Sequence, residues 1–78
     1  MEKLKVHILR RLYRHTYIGR RNHAITDLQK GLPSHDRDMR IIEATVKELL
    51  NEGFLILHHT NRVSINPKKL KEVRKEIM

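Results

Sequence analysis

The residues from Leu49 to Pro67, LLNEGFLILHHTNRVSINP, limit the fold more than any other stretch. Leu49 to Glu52 end an apolar-periodic helix, and Gly53 stands where a left-handed residue stops one. Phe54 to His58 and Arg62 to Ile65 read as two strands, with Thr60 and Asn61 at the tip of the turn between them. Phe54, Ile56, Val63 and Ile65 alternate as the inward positions of a half-buried hairpin do. Asn66-Pro67 opens a further helix: Asn caps the first free amides, and Pro gives up an N–H that would have no partner there. A chain that places a small hairpin between two helices belongs to the α+β class.

The rest of the chain supplies more helix. From Glu2 to about His15, Leu4, Ile8, Leu9, Leu12 and Tyr13 make one apolar stripe, with Arg10, Arg11 and Arg14 largely off it. Tyr17 and Ile18 suit a very short strand, and Gly19 suits a turn. Asn22 or His23 to Lys30 predicts a short helix stopped by Gly31. Either Asn22 caps it, or Thr26-Asp27-Leu28-Gln29 forms a T-x-x-Q capping box. A third helix runs to Glu52 with Ile42, Val46 and Leu49 as its buried line and Ile41, Thr45 and Leu50 on the flanks. Its start is either Ser34 or Asp38, and Asp36 and Asp38 favour its positive end. The last helix extends from Pro67 towards Met78, with Leu70, Val73 and Ile77 on one face.

At 78 residues the chain fits one domain, residues 1–78. A domain of this size buries only about 60% of its unfolded surface. There is no cysteine, which removes disulfides and thiolate zinc sites and fits a cytoplasmic location. No run of apolar residues is long enough for a membrane span, so no membrane partner is expected. The opening MEKLKVHILRR carries charge through its apolar positions and does not read as a signal peptide.

The pattern I-x-x-x-V-x-x-L-x-x-x-G-F-L-I, carried by Ile42, Val46, Leu49, Gly53, Phe54, Leu55 and Ile56, resembles the winged helix-turn-helix family. In that family the recognition helix runs into the wing in this way. The likeness covers about Ile25 to Ile65, and the overall style is that of a small archaeal member. It implies a three-helix bundle with a β-hairpin wing, here with an additional C-terminal helix, and a DNA-binding protein active in transcription regulation. The sequence departs from the family at Pro33-Ser34-His35-Asp36-Arg37-Asp38, which replaces the short serine- or threonine-rich turn before the recognition helix.

Charge agrees with a polyanionic partner. The chain has 17 basic and 9 acidic residues, a formal charge of +8, the footprint of a nucleic-acid binder in so small a domain. The excess is uneven: residues 1–30 carry +6, residues 31–53 carry −2 and residues 54–78 carry +4. Arg20, Arg21 and His23 lead into the second helix, whose start faces phosphate in the family; free amides there favour anions. Arg37, Arg40 and Lys47 lie on the presumed recognition helix, where Arg can read guanine. The alternative is that Arg37 and Arg40 form surface ion pairs with Asp36, Asp38 and Glu43. Arg62 would anchor the wing.

The partner expected first is duplex DNA, with RNA or a protein as alternatives. The apolar stripes of the first and last helices either pack within one chain or form a homodimer through the terminal helices. Neither cofactor nor catalysis is expected. The six histidines show no H-x-x-x-H spacing, and neither a phosphate-binding glycine loop nor a nucleophile motif is present.

Overall fold

The first helix, α1 (Lys3–Arg14), forms because Ile8, Leu9 and Leu12 repeat on one face, and all three are buried. His15 is its C-cap, and Thr16 after it takes φ +57°, while the Tyr17 amide donates to the Leu12 carbonyl at 2.8 Å. The computed structural model describes residues 1–78, apart from the side chain of Asp36.

After α1 the chain meets strand β3 (Arg62–Ile65) twice. Ile18 makes a single parallel bridge to Ile65, so the short strand expected at Tyr17-Ile18 is present as one bridge only. The regular first strand is β1 (His23–Ala24), antiparallel to β3 with His23 opposite Val63 and Ala24 opposite Arg62. Between them, Gly19 at φ +66° starts the reversal. The helix expected from Asn22 or His23 therefore does not start there. The strand takes His23 and Ala24, and the Ile25 amide donates to the Asn61 carbonyl at 2.8 Å. The next element is a 3-10 helix, Ile25–Gly31, with no side-chain cap, so neither Asn22 nor Thr26 caps it. Leu28, fully buried, holds it to the core.

A second 3-10 turn, Ser34–Asp36, fills the segment that departs from the family pattern. Helix α2 is Met39–Asn51, and Asp38 is its cap, accepting from the Arg40 amide at 3.0 Å. Of the two starts open in the sequence, Asp38 is the one adopted. The role expected of Asp36 falls on a side chain outside those described. Ile42, Val46 and Leu49 are buried as expected, and Thr45 buries its hydroxyl by donating to the Ile41 carbonyl at 2.8 Å. The helix ends in a paired closure: Phe54 N–H donates to Leu49 O, and Gly53 N–H donates to Leu50 O. That geometry needs positive φ at the residue after the cap, and Gly53 supplies +85°.

Strand β2 (Leu55–His58) pairs with β3 in the register Leu55–Ile65, Ile56–Ser64, Leu57–Val63 and His58–Arg62. Residues directly opposite share a face. Leu55 and Leu57 therefore join Val63 and Ile65, while Phe54 and Ile56 belong to the other face. This corrects the expected alternation. Leu55, not Phe54 or Ile56, is buried with Val63 and Ile65. On the other face Ser64 is also fully buried; its hydroxyl donates to the Gly19 carbonyl at 2.6 Å and lies 2.9 Å from His58 Nε2.

Asn66 caps the 3-10 turn Pro67–Lys69, which leads into α3 (Leu70–Ile77). Helices α1 and α3 pack on each other within the chain. Tyr13 accepts from Arg74 Nε at 2.9 Å, and the Ile77 carbonyl accepts from Arg10 Nη2 at 3.3 Å. Lys5 Nζ donates to both Glu52 carboxylate oxygens at 3.0 and 3.1 Å, tying α1 to the end of α2; this bond raises the Lys5 pKa above 10.5. The architecture is α+β: three α-helices and a seven-residue 3-10 helix around a three-stranded antiparallel sheet of order β1-β3-β2.

Candidate nucleic-acid interface

The densest arrangement of sequence-predicted site residues is the loop between Gly19 and β1. Its shape is set by one strand residue. Arg62 Nε donates to Asn22 Oδ1 at 2.5 Å, and Arg62 Nη2 reaches the Asn22 carbonyl at 3.4 Å. Asn22 in turn donates from Nδ2 to the Arg20 carbonyl at 3.2 Å. The loop is thus fastened to strand β3, and Arg20, Arg21 and Arg62 are all exposed. None of these three arginines has an acidic partner among the described residues.

Beneath the loop lies a short stack. The Tyr17 and His23 rings are 4.5 Å apart at 25°, and the Arg21 guanidinium sits 5.5 Å from the Tyr17 centroid. Burial pushes the His23 pKa below 6.5, and Arg11, Arg62 and His15 push it the same way against Asp27. His23 is therefore neutral at pH 7. Its Nε2 is buried and has no partner among the described residues, so the ring supports Tyr17 and is not a surface cation.

Arg37, Arg40 and Lys47 do not join the loop cluster. Arg37 Nε donates to the Leu32 carbonyl at 3.0 Å and closes the turn before α2. Arg40, with a side chain 92% exposed, has Nε 3.7 Å from Asp38 Oδ1. Such an exposed pair is worth at most about 1 kcal/mol and leaves Arg40 free to swing. Lys47, with Glu43, lines a groove of about 540 Å³ between α2, β2, the hairpin tip and the start of the 3-10 helix. Its floor is apolar, from Ile25, Val46, Leu50 and Leu57. Ile25 and Asn61, the chain neighbours of Ala24 and Arg62, also line it, while Arg20, Arg21 and Arg62 do not.

Among the described residues, no group of three histidine or acidic side chains is placed to hold a metal ion. No helix is long and apolar enough to cross a membrane. Compared with protein-family models, curated proteins and solved structures, the chain matches none.

Proposed function

We propose that this chain is a winged helix-turn-helix protein that binds duplex DNA, with a role in transcription regulation. The single observation that carries the reading is the Arg62–Asn22 clasp, which fastens the loop bearing Arg20 and Arg21 to strand β3, so that three exposed arginines without acidic partners among the described residues are held together. Element order and sheet order β1-β3-β2 support the fold assignment, with residues 55–65 as the wing and α2 as the recognition helix. In this reading Arg20, Arg21 and Arg62 contact phosphates, and Arg40 and Lys47 approach the major groove. Phosphate contacts position the protein without reading sequence; base edges must be read from α2.

An amide-resolved NMR titration with a short mixed-sequence duplex, at low and then physiological salt, tests this. Saturable shifts at Gly19 to His23, Arg40 to Lys47 and the hairpin tip, fading as salt rises, are expected. Absence of saturable shifts at low salt overturns it. The apolar groove floor favours one second reading, a protein-interaction module, in which a partner's apolar side chains seat against Leu57, itself 47% exposed.

A further inference from the structure

A second basic region lies on α1, and its surroundings are concave. His7, Arg10, Arg11 and Arg14 share one face of the helix, which His15 extends just past its end. This face is turned away from the buried Ile8-Leu9-Leu12 stripe. The turn at residues 31–33, at the end of the 3-10 helix, comes up against it and closes a pocket of about 300 Å³. Among the described residues, no acidic side chain lines the pocket.

Like charges one turn apart destabilise a helix, so three arginines on one face need compensation. Part of it is local. Arg11 and Arg14 fall in the last turn of α1, where cations complement the helix end. Arg10 donates one bond to the Ile77 carbonyl. Arg11 is not satisfied in this way: its Nε is buried and meets no acceptor among the described residues. The pocket is also shaped for this guanidinium. A Cβ on Gly31 would collide with Arg11 Nη1 and lie 2.9 Å from its Cζ. The absent side chain is what lets Arg11 lie over the Gly31 backbone.

We infer that the pocket formed by α1 and the turn at residues 31–33 binds a small phosphate-bearing anion. Arginine forks match phosphate oxygens, and a concave site of this volume suits a compact ligand. Arg11 and Arg14 would hold the anion, with His7 and His15 as further donors. The inference stands on the pocket alone and does not depend on duplex binding.

The test is an NMR titration with sodium pyrophosphate against sodium chloride at equal ionic strength, following the Gly31 amide and the arginine Nε–H signals. Saturable shifts at Arg11, Arg14 and Gly31 with pyrophosphate alone are expected. Gly31→Ala, which displaces the Arg11 guanidinium, and Arg14→Gln, at an exposed position, should each weaken binding about tenfold, the loss of one charge-assisted contact. If Gly31→Ala fails to fold, Arg14→Gln decides alone. Non-saturable shifts, equal shifts with chloride, or affinity unchanged in the folded variants would overturn the inference. So would pocket shifts that appear only with a DNA duplex, because the site would then belong to a nucleic-acid surface.

Discussion

Arg62 on strand β3 and Asn22 in the loop before β1, forty residues apart in sequence, are joined by two hydrogen bonds from one guanidinium. The pair fixes the loop that carries Arg20 and Arg21. Removing Arg62 should therefore act on binding through both charge and position, and removing Asn22 through position alone.

Arg62→Ala should lower duplex affinity and reduce the slope of log affinity against log salt by about one phosphate contact. Asn22→Ala leaves every charge in place. It should weaken binding by a smaller factor with a nearly unchanged slope, because only the ordering of Arg20 and Arg21 is lost. Fluorescence anisotropy at several salt concentrations separates the two. An Asn22→Ala protein that binds as wild type would show that the clasp does not position the arginines.

Leu28 is the only fully buried side chain of the 3-10 helix. Leu28→Ala should cost about 2–5 kcal/mol. That is a large share of the roughly 5–15 kcal/mol that holds a typical domain together. Urea unfolding monitored by circular dichroism would measure it. A loss under about 1 kcal/mol would mean that the segment repacks without its anchor.

Much of this fold is legible in the sequence where local chemistry and tertiary packing agree. Ile42, Val46 and Leu49 mark their helix by spacing, and Gly53 and Asn66-Pro67 mark its end and the next start. The start of the helix expected between Asn22 and Gly31 is not legible, because the conformation of His23 to Ile25 is decided by residues far away, whereas its end at Gly31 is. Arg62, Val63 and Asn61 claim the backbone of His23, Ala24 and Ile25, and this pairing keeps the first residues extended, so the helical turns begin only at Ile25. The hairpin's facing also escapes sequence reading. Phe54 through Leu57 are all apolar, so no alternation shows which two turn inward; the register with Val63 and Ile65 decides it. At the candidate site, Arg20 and Arg21 are visible as a run. Arg62's bond to Asn22 and the stacking of His23 on Tyr17 depend on the fold.

Asn66 uses both ends of its amide. Its Oδ1 accepts from the Lys68 amide at 3.0 Å, and its Nδ2 donates to the Gly53 carbonyl at 3.0 Å. One side chain caps the last helix and fastens it to the turn after α2. Asn66→Ala should cost about 1–3 kcal/mol, a cap together with a partly buried hydrogen bond. Asn66→Asp should not restore the loss, although Asp caps as well as Asn, because a carboxylate oxygen would then face the Gly53 carbonyl. Thermal unfolding of both variants tests this, and full stability in Asn66→Asp would refute the dual role.

His23 makes stability depend on pH in the acid direction. Its pKa is lowered in the folded chain by burial first and by Arg11 next. Below pH 6.5 the unfolded chain takes up a proton that the folded chain resists, so acid favours unfolding until the lowered folded value is passed. Above 6.5 both states are neutral at this site and it contributes no pH dependence. His23→Phe keeps a ring beside Tyr17 and removes the titration. The difference in Tm between variant and wild type should therefore grow as pH falls below 6.5 and stay flat above it. A difference independent of pH would mean that His23 titrates alike in both states.

Asp38 holds two positions in tension. Its Oδ1 caps α2 through the Arg40 amide, and the same oxygen stands 3.7 Å from Arg40 Nε. The cap stabilises the helix by about 1 kcal/mol. Its negative charge sits at the end of α2 that would approach DNA phosphates, and it holds the exposed Arg40 near a carboxylate. Asp38→Asn keeps a side-chain oxygen for the cap but removes the charge. It should leave stability within about 0.5 kcal/mol of wild type, since Asn and Asp cap comparably. Duplex affinity at low salt should rise, and the gain should shrink as salt screens the removed repulsion. Asp38→Ala should bring the same electrostatic gain with the full loss of the cap. Measuring urea stability and duplex affinity on both variants distinguishes the two roles. Affinity that follows stability downward in both would place the start of α2 away from the bound phosphates.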